Sequence, residues 1–398
     1  MKILIFAPNG GASLSTGGGT NFVLKQASVL IDLGHEVILA GFHTLPLSEL
    51  VEIHGIPLPN PPRICSNGAT HYYNAFRHMP LKFSPYDALL HPGFPRWVRS
   101  VFHTVQPDAV WFHDDIPSAA LDFVGQTRFY LYVHYPSAGR TIQICPQLAR
   151  SLPESWNDWI IQTLGSLIIC DSPADICEEV WANSSVTARA IRKAWGLDAM
   201  YVPTYVQARP NAHRNPLCEP MTIVAIGTFN MGKNYTDLIH GFACSRHIGW
   251  RLKVLGHSRD GSYLTRLRRL IRRLGVTNSV DLIIDPKREE IQTITANASV
   301  VVQPAKFEPF GLALLESMTC GLAGVAFRGE YTGGWCDILS RGRFGLGFET
   351  YQELGALFDL LDGDRATLQD LQTKGINRAS DFSRSNLSAA CERIHGRE

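Results

Sequence analysis

The sequence has almost no net charge: 37 Lys and Arg stand against 36 Asp and Glu in 398 residues, leaving +1 with the histidines neutral. No global field therefore selects nucleic acid or a membrane surface as partner. Long apolar runs are also missing; none approaches the roughly 18 residues of a membrane-spanning helix. The nine cysteines are odd in number and scattered, with no C-x-x-C pair among them. Such usage excludes a disulfide framework or a zinc ribbon and fits reduced packing residues in a cytosolic protein. The opening "MKILIFAPN" is strand-like and lacks a cleavage region, so it is not read as a signal peptide.

What is present is an ordinary globular composition, 45% hydrophobic and 18% charged, enough for two full cores. "KILIFAP" reads as a buried strand, "NGGASLSTGGG" as a glycine-rich loop and "TNFVLKQASVLIDLG" as a helix stopping at Gly34, with "HEVILAG" a second strand. Strand, loop, helix and strand make a βαβ unit, so the sheet is expected to be parallel and doubly wound. Further strands are expected at "DAVWFHDD" (108–115), "RFYLYVHYPS" (128–137), "SLIICDS" (166–172) and "AMYVPTYV" (199–206). Residues 207–220 are rich in Pro, Asn and Arg and read as a linker. A second alternation follows: strands "MTIVAIG", "WRLKVLG", "VDLIID" and "SVVVQPA", separated by three helical segments. The expected organisation is α/β, with a first domain over 1–206, a second over 221–380 and a last helix within 381–398.

Chemistry concentrates in "AKFEPFGLALLE", where the strand "SVVVQPA" empties into a helix. Pro309 suits a helix opening, so the helix should begin near Phe310 and Gly311. Its first N–H groups carry the positive end of the dipole, and Gly311 lets a ligand approach the backbone. Glu308 lies just outside that helix and Glu316 on its second turn. Together they can contact opposite ends of one extended ligand whose phosphates lie between them. Taken singly, Glu308 reads equally as a helix cap and Glu316 as a solvated carboxylate.

Two other nucleotide motifs fall short. "GTFNMGKN", Gly227 to Asn234, misses a P-loop by one residue, since Asn234 stands where a Ser or Thr hydroxyl should hold magnesium. In the first loop, G-x-G-x-x-G counted from Gly17 ends on Phe22, and "AGFH" supplies no acid after the second strand. A nicotinamide-dinucleotide site is therefore disfavoured.

"FEPFGLALLESMTCG" closely resembles the E-x7-E motif of retaining GT-B glycosyltransferases of family 4, the group 1 glycosyltransferases. The glycine-rich first loop, the strand-end histidines, the lysine after the second domain's first strand and the final helix follow in family order. "FYLYVHYPSAG" and "SSVTARAIRKAWG" resemble a narrower branch, the mannosyltransferases that extend lipid-linked oligosaccharides. The resemblance implies two Rossmann-like domains facing a cleft, acceptor-binding first and donor-binding second, with the C-terminal helix crossing back to the first domain. It implies sugar transfer with retention from a nucleotide-diphosphate donor to a hydroxyl of a glycan or lipid-linked glycan. GDP-mannose is favoured, a UDP-sugar is the alternative, and neither a metal nor another cofactor is needed. Glu308 would contact donor-sugar hydroxyls, Glu316 the ribose, and the Gly311 and Leu312 amides beside Phe310 the diphosphate. Lys233 would neutralise the leaving group, His134 would stand beside the sugar, and Gly18 and Gly19 would approach the donor phosphate. His113 is a second strand-end histidine, read toward the acceptor. The sequence departs from the family where an arginine usually assists the lysine: those positions are Thr228 and Gly232. Lys233 would then act alone or with help from a residue such as Lys306 or Arg328, and a nucleotide-sugar-binding protein without activity is the further reading that this departure suggests.

The remaining features carry less. Gly333 and Gly334 match a family glycine loop or an ordinary turn. "DGD" (362–364) reads as a turn between helices, not a metal site, and "RLRRLIRRLG" (266–275) as a solvated helix face with no aromatic set for nucleic acid. Residues 72–99 mix aromatics with Arg77, Lys82, Arg96 and Arg99, giving an expectation of peripheral contact at a membrane's cytoplasmic face.

Overall fold

The structure, a computed structural model, describes residues 1–8, 13–15, 17–58, 60–67, 91–135, 169–170, 172–207, 221–246, 249–258 and 261–393. Most of the expected linker, residues 72–90 of the aromatic and basic segment, and residues 166–168 and 171 of one expected strand lie outside the described residues. Two compact units emerge: Met1–Tyr205 with Arg384–Glu398, and Val206–Ser383.

The first unit is built on a seven-stranded, all-parallel sheet. Its elements are β1 (Lys2–Ala7), α1 (Gly18–Asp32), β2 (Glu36–Ala40), α2 (Leu47–His54), β3 (Arg63–Cys65), α3 (Phe94–Val105), β4 (Ala109–His113), β5 (Arg128–Val133), β6 (Cys177–Ala182), α4 (Ser185–Trp195) and β7 (Met200–Tyr201). The strand order is β3-β2-β1-β4-β5-β6-β7. β1 and β4 are buried almost throughout, which is why they read as unbroken apolar runs; helices cover both faces of such a sheet. β6 was not legible in advance. Its segment "CEEVWA" carries two glutamates, yet it pairs with β5 and drives Trp181 to 4.3 Å from the Trp111 ring centroid. Among the described residues of the expected strand at 166–172, Ile169 forms an antiparallel bridge with Pro117. α4 is opened by Ser184, whose hydroxyl accepts the Thr187 amide at 2.9 Å, and closed by Gly196 in the left-handed region.

The second unit repeats the plan with six parallel strands. In chain order it holds β8 (Thr222–Ile226), α5 (Tyr235–Cys244), β9 (Arg251–Gly256), α6 (Gly261–Arg273), β10 (Val280–Ile284), α7 (Arg288–Ala296), β11 (Val300–Gln303), α8 (Leu312–Met318), β12 (Ala323–Phe327), β13 (Leu346–Phe348), α9 (Tyr351–Gly363) and α10 (Arg365–Ser380). The order β10-β9-β8-β11-β12-β13 mirrors that of the first sheet. α6 buries Leu264, Leu267 and Ile271 and turns its arginines outward. "DGD" closes α9 and opens α10, where Asp364 Oδ1 accepts the Thr367 amide at 3.0 Å.

The last helix, α11 (Arg384–Glu392), belongs to the first unit. Its Leu387, Ala390 and Cys391 join the core around α1, and Arg384 Nη2 bonds Ser28 O at 3.1 Å and Asp32 at 2.5 Å. Among the described residues no helix is long and apolar enough to cross a membrane.

Candidate functional site

In a doubly wound sheet, neighbouring strands whose crossovers run to opposite sides leave a crevice beyond their carboxyl ends. In the second unit those strands are β8 and β11, and the loops that follow them carry Lys233 and Glu308. A short 3-10 turn, Met231–Lys233, follows β8, with the Asn230 side chain accepting the Lys233 amide at 3.2 Å. Asn234, left-handed at φ 54°, ends it; its Nδ2 donates to Asp237 Oδ2 at 2.9 Å and to Pro304 O at 3.1 Å. The second of these bonds ties the β8 loop to the β11 loop. The Lys233 ammonium meets the Glu308 carboxylate in a half-buried ion pair. Beside them the Tyr235 hydroxyl is buried with no hydrogen-bond partner among the described residues, and burial pushes its pKa far above the ordinary phenol value.

The Glu308 backbone is fixed independently of its side chain. Its N–H donates to Tyr331 O at 3.1 Å and its C=O accepts from Gly333 N at 2.8 Å. Gly311 then turns the chain into α8 at φ +104°, and a Cβ there would lie 2.7 Å from Gln303 Nε2. On the other side of the same amide, a Cβ on Gly334 would lie 1.7 Å from Gln303 Oε1. Gln303 is thus wedged between two glycine loops, with its Oε1 buried and unpaired. Glu316, on the second turn of α8, is half-buried, and its carboxylate has no hydrogen-bond or ion-pair partner among the described residues. Leu312 opens α8, whereas Phe310 faces the core, edge-on to Phe382 at 5.9 Å.

The two positions where the resemblance expects an arginine follow β8. Thr228 is half-buried and Gly232 exposed. Lys306 is paired with Asp237 at 3.2 Å, and Arg328 with Glu353 at 2.7 Å and Glu349 at 3.4 Å. Both candidate helpers are therefore already held by carboxylates, while Lys233 sits on Glu308.

In the first unit the corresponding neighbours are β1 and β4, with β5 next in order. Gly17, Gly18 and Gly19 open α1, and no atom of the described residues lies within 4 Å of where side chains at Gly17 and Gly18 would begin. At Gly19 a Cβ would come within 2.8 Å of Pro8 and 3.5 Å of His134 Nε2, so glycine brings α1 against the end of β5. His134 follows β5; its amide donates to Asp114 Oδ1 at 2.7 Å and its carbonyl accepts from Thr187 Oγ1 at 3.0 Å. Burial lowers its imidazole pKa to about 3. His113 is fully buried behind it, and both of its ring nitrogens are engaged: Nδ1 with His134 Nε2 at 3.1 Å, Nε2 with Gln26 Oε1 at 3.0 Å. The sequence reading of His113 toward an acceptor meets this burial: the ring lies inside the core, behind His134. Sequence reasoning missed Gln26, Asp114 and Gln303, since a polar residue inside an apolar run gives no sign of what it faces.

Residues 212–378 match the family model for glycosyl transferases group 1. That region holds Lys233, Glu308 and Glu316. An exopolysaccharide phosphotransferase of Streptomyces coelicolor is 32% identical over 140 residues, 34% of this chain and 14% of that protein. The chain thus spans only a small part of that relative. Glycogen synthase of Mycobacterium tuberculosis is 25% identical over 301 residues, 73% of this chain and 69% of that protein. The structure of Anabaena HepE in complex with UDP and glucose aligns with a TM-score of 0.71 at 18% identity, covering 100% of this chain and 99% of that one. The fold is GT-B, with two Rossmann-like domains, and the group 1 match covers most of the second.

Proposed function

We propose that the protein is a retaining glycosyltransferase that moves a hexose from a nucleotide-diphosphate donor to a hydroxyl of a glycan or lipid-linked glycan. The observation that carries this reading is the Lys233–Glu308 ion pair at the carboxyl ends of β8 and β11, with Glu316 on the second turn of the following α8 and its carboxylate without a partner among the described residues. A diphosphate arriving there competes for the Lys233 ammonium. Glu308 is then released to accept hydrogen bonds from donor-sugar hydroxyls, and Glu316 accepts from the ribose. As the bond from the sugar's anomeric carbon to the diphosphate oxygen breaks, negative charge grows on the diphosphate and Lys233 stabilises it. The departing oxygen takes the acceptor's proton, so no separate general base is required. His134 serves as a hydrogen-bonding group for a sugar hydroxyl.

The resemblance to oligosaccharide mannosyltransferases favours GDP-mannose; the likeness to a protein solved with UDP and glucose supports a UDP-sugar as the alternative. Neither donor calls for a metal here. The setting we propose is cytoplasmic, peripheral to a membrane where the acceptor is lipid-linked.

The test is a thermal-shift panel of GDP, UDP, ADP, GDP-mannose, UDP-sugars and ATP, each with and without magnesium. A ligand at 100 times its Kd stabilises the fold by about 2.7 kcal/mol. Metal-independent stabilisation by one diphosphate, weakened in Lys233→Ala and Glu316→Ala, is expected and names the base. Stabilisation by ATP with magnesium alone would overturn the reading in favour of a P-loop enzyme. Donor binding without turnover would leave a nucleotide-sugar-binding protein.

A further inference from the structure

The two ring nitrogens of His134 have different surroundings. Nε2 faces inward, 3.1 Å from His113 Nδ1 and near Gly19. Nδ1 has no hydrogen-bond partner among the described residues. Behind His113 stands Gln26, fully buried on α1, with Oε1 3.0 Å from His113 Nε2. These three side chains form one line of hydrogen bonds, Gln26 to His113 to His134, running from the core toward the end of β5.

A neutral imidazole has one N–H and one lone pair, so each link of this line dictates the next. With the Gln26 carbonyl oxygen toward the ring, His113 must carry its hydrogen on Nε2. His113 Nδ1 is then an acceptor, and the nitrogen facing it, His134 Nε2, must be the donor. The only lone pair left on the His134 ring is on Nδ1. Turning the Gln26 amide over reverses every link and makes Nδ1 a donor. Burial keeps both rings neutral, so neither escapes this choice by taking up a second proton. Phe22 supports the arrangement from α1, stacked on Tyr132 at 3.9 Å and edge-on to His134 at 5.8 Å, so the ring is held in place as well as in tautomer.

We propose that Gln26 and His113 are positioning residues that hold His134 as the Nε2–H tautomer, presenting Nδ1 as a hydrogen-bond acceptor for a sugar hydroxyl. The proposal rests on the reading of His134 as a sugar-contacting residue, and it adds what that contact must be. The ring accepts a hydrogen bond from a hydroxyl and does not donate one to a ring or glycosidic oxygen. The buried glutamine, two residues removed from any ligand, acts only through His113.

Long-range proton–nitrogen NMR of the full chain labelled with 15N-histidine reads the tautomer directly, without substrate. At pH 7 the wild-type His134 is expected to show a protonated Nε2 and a bare Nδ1. In Gln26→Met, a near match in shape with no hydrogen-bonding amide, the same ring is expected to become a mixture of both tautomers. A wild-type His134 protonated on Nδ1 would overturn the proposal, and this reading stands even if Gln26→Met fails to fold. An unchanged single tautomer in a folded Gln26→Met would also overturn it, by removing Gln26 from the relay. Adding the nucleotide sugar that stabilises the protein should shift the Nδ1 signal. A correct tautomer with an unmoved Nδ1 would overturn the sugar contact while leaving the donor site of the second unit intact.

Discussion

Lys233 and Glu308 lie 75 residues apart in sequence, yet they meet as an ion pair because β8 and β11 are hydrogen-bonded neighbours in the second sheet. The pair leaves the lysine occupied by an internal carboxylate, so under the proposed function a diphosphate would compete with Glu308 for the same ammonium. That competition distinguishes the two residues in a way that their simple removal does not.

Glu308→Gln should therefore separate binding from turnover. Removing the carboxylate's charge releases Lys233 and removes a repulsion, so affinity for the bare nucleoside diphosphate should rise a few-fold by titration calorimetry. Sugar transfer should fall by about 10²-fold, as expected when a charged contact to the reacting sugar is lost. Equal weakening of both would show that Glu308 serves the diphosphate site as structure alone.

Gly311→Ala tests the turn into α8. The backbone there sits at φ +104°, and the added Cβ would meet the Gln303 amide at 2.7 Å. Left-handed strain for a non-glycine residue costs about 1–3 kcal/mol. Thermal unfolding should show a drop of about 2–4 °C for each kcal/mol in a unit of this size. Gly334→Ala should be worse, since its Cβ would fall 1.7 Å from Gln303 Oε1. A Gly311→Ala protein as stable as wild type would mean that the loop is free to adopt another path.

The buried histidines give stability a definite pH dependence. His134 is held near 3 against an ordinary value of 6.5, and His113 is lowered by burial and by His134. His134 takes up a proton on unfolding at any pH between about 3 and 6.5, and His113 shifts stability in the same direction below 6.5. Their contribution is therefore complete above about 6.5 and is lost as pH falls below it, for His134 down to about 3, by up to ~1.4 kcal/mol per pH unit for each histidine. Urea midpoints measured at pH 7.5, 6 and 5 should fall, and His134→Gln should show a shallower fall by one histidine's share. Parallel slopes in the two proteins would show that His134 titrates alike folded and unfolded.

The sequence by itself determined the central strands of both sheets and, in the candidate site, the residues around α8. Parallel strands buried on both faces must be continuous apolar runs, so "KILIFA" and "TIVAI" announce β1 and β8. Glu308, Gly311 and Glu316 were legible because they fall within nine residues, where local spacing already fixes which groups share a helix end. β6 escaped because its glutamates mask a strand whose reason is tertiary: pairing with β5 and the packing of Trp181 on Trp111. Only the folded chain decided that Lys233 reaches Glu308, that Lys306 and Arg328 are taken by other acids, and that Gln26 stands behind His113. Each of these joins residues on different elements, and a hydrogen bond or ion pair needs about 3 Å between atoms whose approach is set by strand order and helix packing. Neighbourhood in the chain carries the chemistry that a helix or a turn can complete alone, and the parallel sheet brings together the rest.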